Sequence, residues 1–193
     1  MPIVITVDQR DSRRAPDLVP GMLSALADVP LLRAFQRTAG EFQGLLDEAE
    51  ALPGVVEQLL RDGHWAIGIG VGSVDEPLPR HAREGRGPAY TRAREAVESA
   101  KQAIWPVRVV GSDGADALES ALWLWAALLA RRTPKGWEVA DLVDRGLSYE
   151  RVAEKLAITQ SAVSQRARAA GLVEGVRART LVARLGAACL AAG

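Results

Sequence analysis

The stretch ITQSAVSQRARAAGL, Ile158 to Leu172, gathers Gln160, Ser161, Ser164, Gln165, Arg166 and Arg168 with no carboxylate among them. Forked and short hydrogen-bonding side chains suit DNA: Gln pairs bidentately with adenine, Arg with guanine, and Ser and Arg also reach phosphates. At helical spacing Ser161, Ser164, Gln165 and Arg168 share one stripe, while Val163, Ala167 and Ala170 share another. A merely solvated helix face ordinarily mixes Glu with Lys, so an acid-free polar stripe favours a nucleic-acid surface. The charge behind it is local. The chain is formally neutral, yet from Thr159 onward five arginines face one acid, Glu174. That balance excludes a protein coated in positive charge for indiscriminate binding.

A second set of groups lies far upstream. Asp8, Arg10 and Ser12 end the run PIVITVDQRDS, Glu41 sits in GEFQGLL, and Arg83, Arg86, Gly87 and Tyr90 lie in or just after the loop SVDEPLPRHAREGRGPAY. Arginines in a long polar loop suit an anionic group, so these residues are the candidate walls of a ligand site. Other chemistry is poorly supplied. His64, His81 and Cys189 cannot complete a structural zinc set, no serine lies in a nucleophile elbow, and no catalytic residue, metal or cofactor is assigned. Gly68 and Gly70 in HWAIGIGVG fall inside a strand rather than in the turn that a dinucleotide fingerprint needs. They point instead to close approach of a backbone or ligand.

The elements that must hold these groups follow from periodicity and punctuation. PIVITVD reads as a buried strand, Asp17 to Ala27 as a helix, and Pro30 to Leu46 as a hairpin turning at Ala39-Gly40. A helix is expected over Leu46 to Arg61, kinked or broken at Pro53-Gly54. HWAIGIGVG is the next strand, followed by a helix with Ala93, Val97 and Ala100 on one face. Ile104 to Gly111 is a further strand and Asp113 to Arg132 a long helix. The centre of that helix, ALWLWAALLA, is apolar nearly all round, which calls for burial on more than one side or a subunit interface.

The polar segment RTPKGWE marks the boundary between an expected domain 1–133 and a helical domain 134–193. Helices are expected at Trp137 to Arg145, Tyr149 to Leu156, Gln160 to Ala170 and Val176 to Ala191. The middle two form a helix-turn-helix: Ser148 and Thr159 cap them, Gly171 stops the second, and Ile158 plugs the turn. Val152, Ala153 and Leu156 face Val163, Ala167 and Ala170 across the crossing. Cys189 serves as a small apolar residue of the last helix. No charged leader and no apolar run of about 18 residues is present, so a cytoplasmic protein with no membrane partner is expected.

LSYERVAEKLAITQSAVSQRARAAGL resembles the helix-turn-helix of sigma-factor region 4 and related bacterial regulators, departing at Ala157, where glycine is frequent. Alanine is tolerable there if the backbone is not strongly left-handed. Four ordered blocks, TVDQRDS, GEFQGLL, AIGIGVGSVDEPL and GPAYTRAREAVESAK, resemble the SatD family of bacterial proteins. That family shows GDEFQGLL where this chain has Ala39-Gly40-Glu41-Phe42, and it ends in a helix-turn-helix. More distantly the blocks are similar to the palm domain of class III nucleotide cyclases and diguanylate cyclases. There an aspartate ending the first strand and an acid in the central hairpin hold two metal ions. Asp8 matches the first position, whereas Gly40 stands at the second. Glu41 remains, but strand alternation turns it to the other side from residue 40.

The expected fold class is therefore α+β: a ferredoxin-like, palm-like, mostly antiparallel sheet with helices on one face, followed by a small all-α helix-turn-helix domain. The expected function is a sequence-specific, DNA-binding transcriptional regulator. It binds double-stranded DNA as a homodimer, because one short recognition helix spans few base pairs. For the first domain two roles are open: binding a nucleotide-like effector, or serving as a scaffold or dimerisation domain. The alternatives are a metal-dependent, cyclase-like nucleotide-processing enzyme with a helical partner-binding tail, disfavoured by Gly40, and a protein-interaction adaptor.

Overall fold

The structure is a computed structural model that describes residues 2–12, 14–38, 40–78, 80–111 and 113–192. Five strands, β1 (Ile3–Gln9), β2 (Arg33–Thr38), β3 (Glu41–Leu46), β4 (Trp65–Val71) and β5 (Val107–Val110), form one sheet in the order β2-β3-β1-β4-β5. The first four strands pair antiparallel, as in a ferredoxin-like β-α-β-β-α-β unit, and β5 adds parallel to β4. The fold is thus α+β, with a mixed sheet and a helical C-terminal part. The element order is the one expected. Ala39, part of the expected hairpin turn, lies outside the described residues.

β1 is flanked by strands on both edges and covered on both faces, which is why IVITVDQ carries apolar residues almost without alternation. Its odd residues Ile3, Ile5 and Val7 join the main core with α1 (Val19–Ala25), α2 (Ala51–Asp62) and α4 (Ala115–Leu129). Its even residue Val4 faces α3 (Pro88–Ala100), against Ala89, Tyr90 and Ala93. Helices therefore cover both faces, not one. The glycines of β4 explain how α3 fits: a Cβ on Gly68 would collide with the backbone of Ala93 and Val97, and one on Gly70 with that of Ala89 and Ala93. With Ala89, Ala93 and Ala100 on the facing side of α3, backbone lies on backbone.

Two expectations shift for local reasons. The helix expected from Leu46 begins at Ala51, because β3 runs on to Leu46. Pro53 causes no break, since it sits in the first turn, where a helix needs no N–H donor. Most of the apolar centre of α4 is used within the chain, while Leu124 stands exposed at 75%. Trp125 is buried in the core, while Trp123 lies against β5 and donates from Nε1 to the Val107 carbonyl at 2.8 Å. Glu119 accepts from the Val109 amide at 2.8 Å, so two side chains of α4 blunt the edge strand.

Four helices follow: α5 (Pro134–Asp144), α6 (Tyr149–Leu156), α7 (Gln160–Ala169) and α8 (Leu172–Ala191). α5 starts earlier than expected because Thr133 caps it, accepting from the Gly136 amide at 3.2 Å. α8 crosses back over the boundary expected at 133/134. Val182 and Cys189 are fully buried in the main core, and Gly186 packs on Ala49 and Leu52. Ionic contacts complete the joint. Glu57 of α2 accepts from Arg132 at 3.2 Å and Arg179 at 2.5 Å, Arg179 also reaches Asp144 at 2.6 Å, and Arg132 donates to the Ala170 carbonyl. Trp137 of α5 lies under two guanidinium groups, Arg61 at 4.4 Å and Arg132 at 4.6 Å from its ring centre.

Candidate functional site

The recognition candidate is held by a small core of its own. Val152 and Ala153 of α6, Val163 and Ala167 of α7, and Ala170 pack with Val139, Ala140 and Leu142 of α5, while Leu156 and Ile158 close the edge. Ser148 accepts from the Arg151 amide at 3.3 Å and Thr159 from the Ala162 amide at 3.1 Å, so both N-termini are capped by their own sequence. Gly171 ends α7 at φ 60°, where a Cβ would also meet Leu128 of α4. Ala157, in the turn, is left-handed at φ 51° and ψ 45°, so this alanine occupies the conformation that suits glycine.

With the inner stripe fixed, the outer residues of α7 fall where helical spacing puts them. Gln160, Ser161, Gln165 and Arg168 are exposed and Ser164 is half-buried. Among the described residues neither Gln165 nor Arg168 has a side-chain partner. Arg166 differs. It is half-buried and turned towards Glu138 of α5, 3.9 Å away. The free donors and acceptors of this face are thus Gln160, Ser161, Gln165 and Arg168, with Ser164 at its margin.

The upstream candidates separate into two groups. Asp8, Arg10 and Ser12 line a cavity of about 540 Å³ at the end of β1, together with Asp11, Arg14, Ala66 and Lys101. Glu41 stands directly across from Asp8 in the β1–β3 register, so the two carboxylates share the α3 face of the sheet. Lys101, just past α3, bonds Asp8 at 2.6 Å and Glu98 at 2.6 Å. Burial pulls the Lys101 ammonium down, but its bonds to Asp8 and Glu98 outweigh that and hold it above the ordinary lysine value. Burial pushes the Glu41 carboxyl above the ordinary glutamate value, opposed by Arg94 and Lys101 and reinforced by Asp8 and Glu98.

Arg83, Arg86, Gly87 and Tyr90 belong to the other end of α3. From Tyr90 to Lys101 the helix rises about 16 Å, at roughly 1.5 Å per residue. Gly87 precedes α3 at φ 112° beside Val74 and Asp75, and Arg83 and Arg86 are exposed. Tyr90 packs with Val4 and Leu45, its ring against Gly85 and its hydroxyl buried without a partner among the described residues. One ligand of moderate size does not span both ends.

The two metal ions implied by the cyclase resemblance do not fit these residues. Gly40 replaces one carboxylate, and Asp8 is already held by the Lys101 ammonium. Among the described residues no three His, Cys, Asp or Glu side chains converge as a metal set. Lys101 and Arg94 were not among the expected residues. Lys101 lies one turn beyond Val97 on the apolar stripe of α3, which marks it as facing the sheet. Its meeting with Asp8 depends on how α3 runs across β4 and β1.

No family model matches the chain, and no curated protein matches it. One solved structure does. It is a regulator of polyketide synthase expression from Bifidobacterium adolescentis, 13% identical, with a TM-score of 0.30 over 97% of this chain and 80% of that one. At that TM-score the likeness carries no argument about this chain. No helix among the described residues is long and apolar enough to cross a membrane.

Proposed function

We propose that this protein is a sequence-specific DNA-binding transcriptional regulator of SatD-like organisation, acting in the cytoplasm and reading the major groove with α7. The observation that carries this reading is the acid-free outer face of α7. Gln165 and Arg168 stand exposed without intramolecular partners, on a helix whose inner face is packed and whose N-terminus is capped by Thr159. Water serves these groups in the free protein, and base edges supply matching acceptors and donors in its place. Arg166, drawn towards Glu138, belongs to the backbone-contacting margin rather than to base readout. Double-stranded DNA is then the partner. A homodimer provides two copies of the face, because a single helix-turn-helix rarely reaches useful specificity. The α+β sheet carries the site for a nucleotide-like effector.

The test is selection of bound sequences from random duplex DNA, followed by affinity measurement on the selected site. Arg168→Ala and Gln165→Ala are each expected to weaken specific binding by about 1–3 kcal/mol, roughly 5- to 150-fold, with the fold intact. Selection of no sequence, or parental affinity in both variants, removes the role assigned to α7. Sedimentation of the protein on the selected duplex checks the two-to-one stoichiometry.

A further inference from the structure

We propose that the cavity at the end of β1 is an effector site for a phosphorylated small molecule, and that the α2–β4 connection carries its occupancy to the helix-turn-helix. The binding half stands on the cavity alone; the regulatory half rests on the DNA-reading role of α7.

The cavity, about 540 Å³, falls in the size range of small-molecule sites. Its charges decide the ligand class. Among the described residues its cations are Arg10, Arg14 and Lys101. Lys101 is shared between Asp8 and Glu98, so it offsets the Asp8 carboxylate only in part. Arg10 and Arg14 line the cavity with no side-chain partner among the described residues, opposed there by Asp11 and by the partly offset Asp8. Forked cations beside the Ser12 hydroxyl complement a group with several anionic oxygens, and a phosphate or diphosphate supplies them.

The ends of the loop that bears Arg10 and Arg14 are tied together by one side chain. Gln9 is buried at 4% exposure. It donates from Nε2 to the Pro16 carbonyl at 2.7 Å and accepts the Leu18 amide on Oε1 at 2.9 Å, pinning both ends of the loop. Inside the loop the amides of Arg14 and Ala15 both donate to the Asp11 carbonyl, and Asp11 is held left-handed at φ 55°. Aspartate tolerates that conformation in turns, so the bend of the loop is set locally.

The same loop touches the joint between the sheet and the C-terminal helices. The Arg10 amide donates to the His64 carbonyl at 2.8 Å, and Ala66 lines the cavity. Three residues before His64, Arg61 grips Asp141 of α5 through two bonds of 2.6 and 2.9 Å and lies over Trp137. Trp65 donates to Asp62 at 2.7 Å and stiffens the turn between them. An anion that draws Arg10 inward therefore acts on a short rigid segment, residues 61–66, whose other end holds α5. The contiguous physical contact needed for coupling is present along this segment.

Calorimetric titration of the full chain with inorganic pyrophosphate, and separately with adenosine diphosphate, tests the site. Saturable binding is expected, weakened at least about tenfold by combined Arg10→Ala and Arg14→Ala and unchanged by Arg168→Ala. Equal affinity for both probes identifies a bare anion as sufficient, and tighter diphosphate nucleotide binding identifies a nucleotide; either supports the site. No saturable binding, or undiminished binding in the double variant, overturns it. Transmission is read without DNA, from amide hydrogen exchange of Pro134–Asp144 with and without saturating pyrophosphate. Altered exchange is expected, lost in both Arg61→Ala and Arg61→Lys while affinity for pyrophosphate persists. Unaltered exchange at saturation overturns the transmission. If the site and its transmission hold while no DNA sequence is selected, the DNA reading falls alone.

Discussion

Ala157 sits in the left-handed region at φ 51° and ψ 45°, where an L-residue with a Cβ is strained by about 1–2 kcal/mol. Glycine removes that strain but adds unfolded-chain entropy of about 0.4–1 kcal/mol. Ala157→Gly is therefore expected to stabilise the protein by about 0.5–1 kcal/mol in urea denaturation, the small surplus of the first effect over the second; a loss of stability would show that the turn tolerates its alanine. Glu41 supplies a pH-dependent effect of the opposite origin. Burial raises its carboxyl above the ordinary glutamate value, so the unfolded chain gives up this proton before the folded one does. Stability from this group is unaffected below the ordinary glutamate range and falls as pH rises through it, until the folded group has ionised as well. Glu41→Gln should accordingly be more stable than the parent at pH 7, with the advantage shrinking as pH approaches 4. A constant difference across that range would show that Glu41 is as solvated as in the unfolded chain. Ser148, Thr159 and Gly171 were legible in sequence because capping is decided within one turn. The Asp8–Lys101 pair was not, because residues 93 positions apart meet only once α3 has a direction across the sheet.

At the scale of elements, the strand and helix order was legible from period and punctuation, because each element answers to its own pattern. They did not give the second layer. Alternating glycines in AIGIGVG signalled close approach, yet which helix approached, and on which face, depended on the right-handed β4-α3-β5 crossover placing α3 opposite α1 and α2. Gly68 and Gly70 then act as a seat for α3, with Arg92 fastening it by a bond of 2.6 Å to the Val71 carbonyl. Because a Cβ at Gly70 would meet backbone rather than a movable side chain, relief requires shifting the whole helix. Gly70→Ala is expected to cost about 3 kcal/mol or more, at the upper end of overpacking effects, read as a lowered thermal midpoint. Gly54, with open space around it on α2, is the matched control, and Gly54→Ala should be neutral or stabilising. Equal effects at the two positions would remove the seat from the account of β4.

At the scale of the whole molecule, the C-terminal helices are not an appendage. α8 begins beside α7 and ends inside the main core, where Val182 and Cys189 are fully buried, so α7 is tied to the sheet through α8. Sequence could not show this: the small and apolar residues of α8 lie on most sides of the helix, and only the tertiary arrangement chooses which stripe is buried. The joint is closed by Glu57, whose carboxylate takes Arg132 on one oxygen and Arg179 on the other, with Asp144 of α5 as the second partner of Arg179. Arg132 is almost completely enclosed, at 3% side-chain exposure, so its charge depends on Glu57 for compensation, and burial already pulls its guanidinium below the ordinary arginine value. Removing one partner of a buried pair leaves an uncompensated charge and costs about 3–5 kcal/mol. Glu57→Ala is expected to destabilise the chain by that amount. Asp144→Ala, which leaves Arg179 its bond to Glu57, should cost less than about 1 kcal/mol, as half-exposed pairs do. If the joint makes one cooperative unit, unfolding of the parent followed by Trp fluorescence and by far-ultraviolet circular dichroism will coincide. In Glu57→Ala the two curves should separate, the helices of α5 to α7 loosening before the sheet. Coincident curves in the variant would mean that α8 in the main core, rather than the ionic joint, holds α7 to the rest of the molecule.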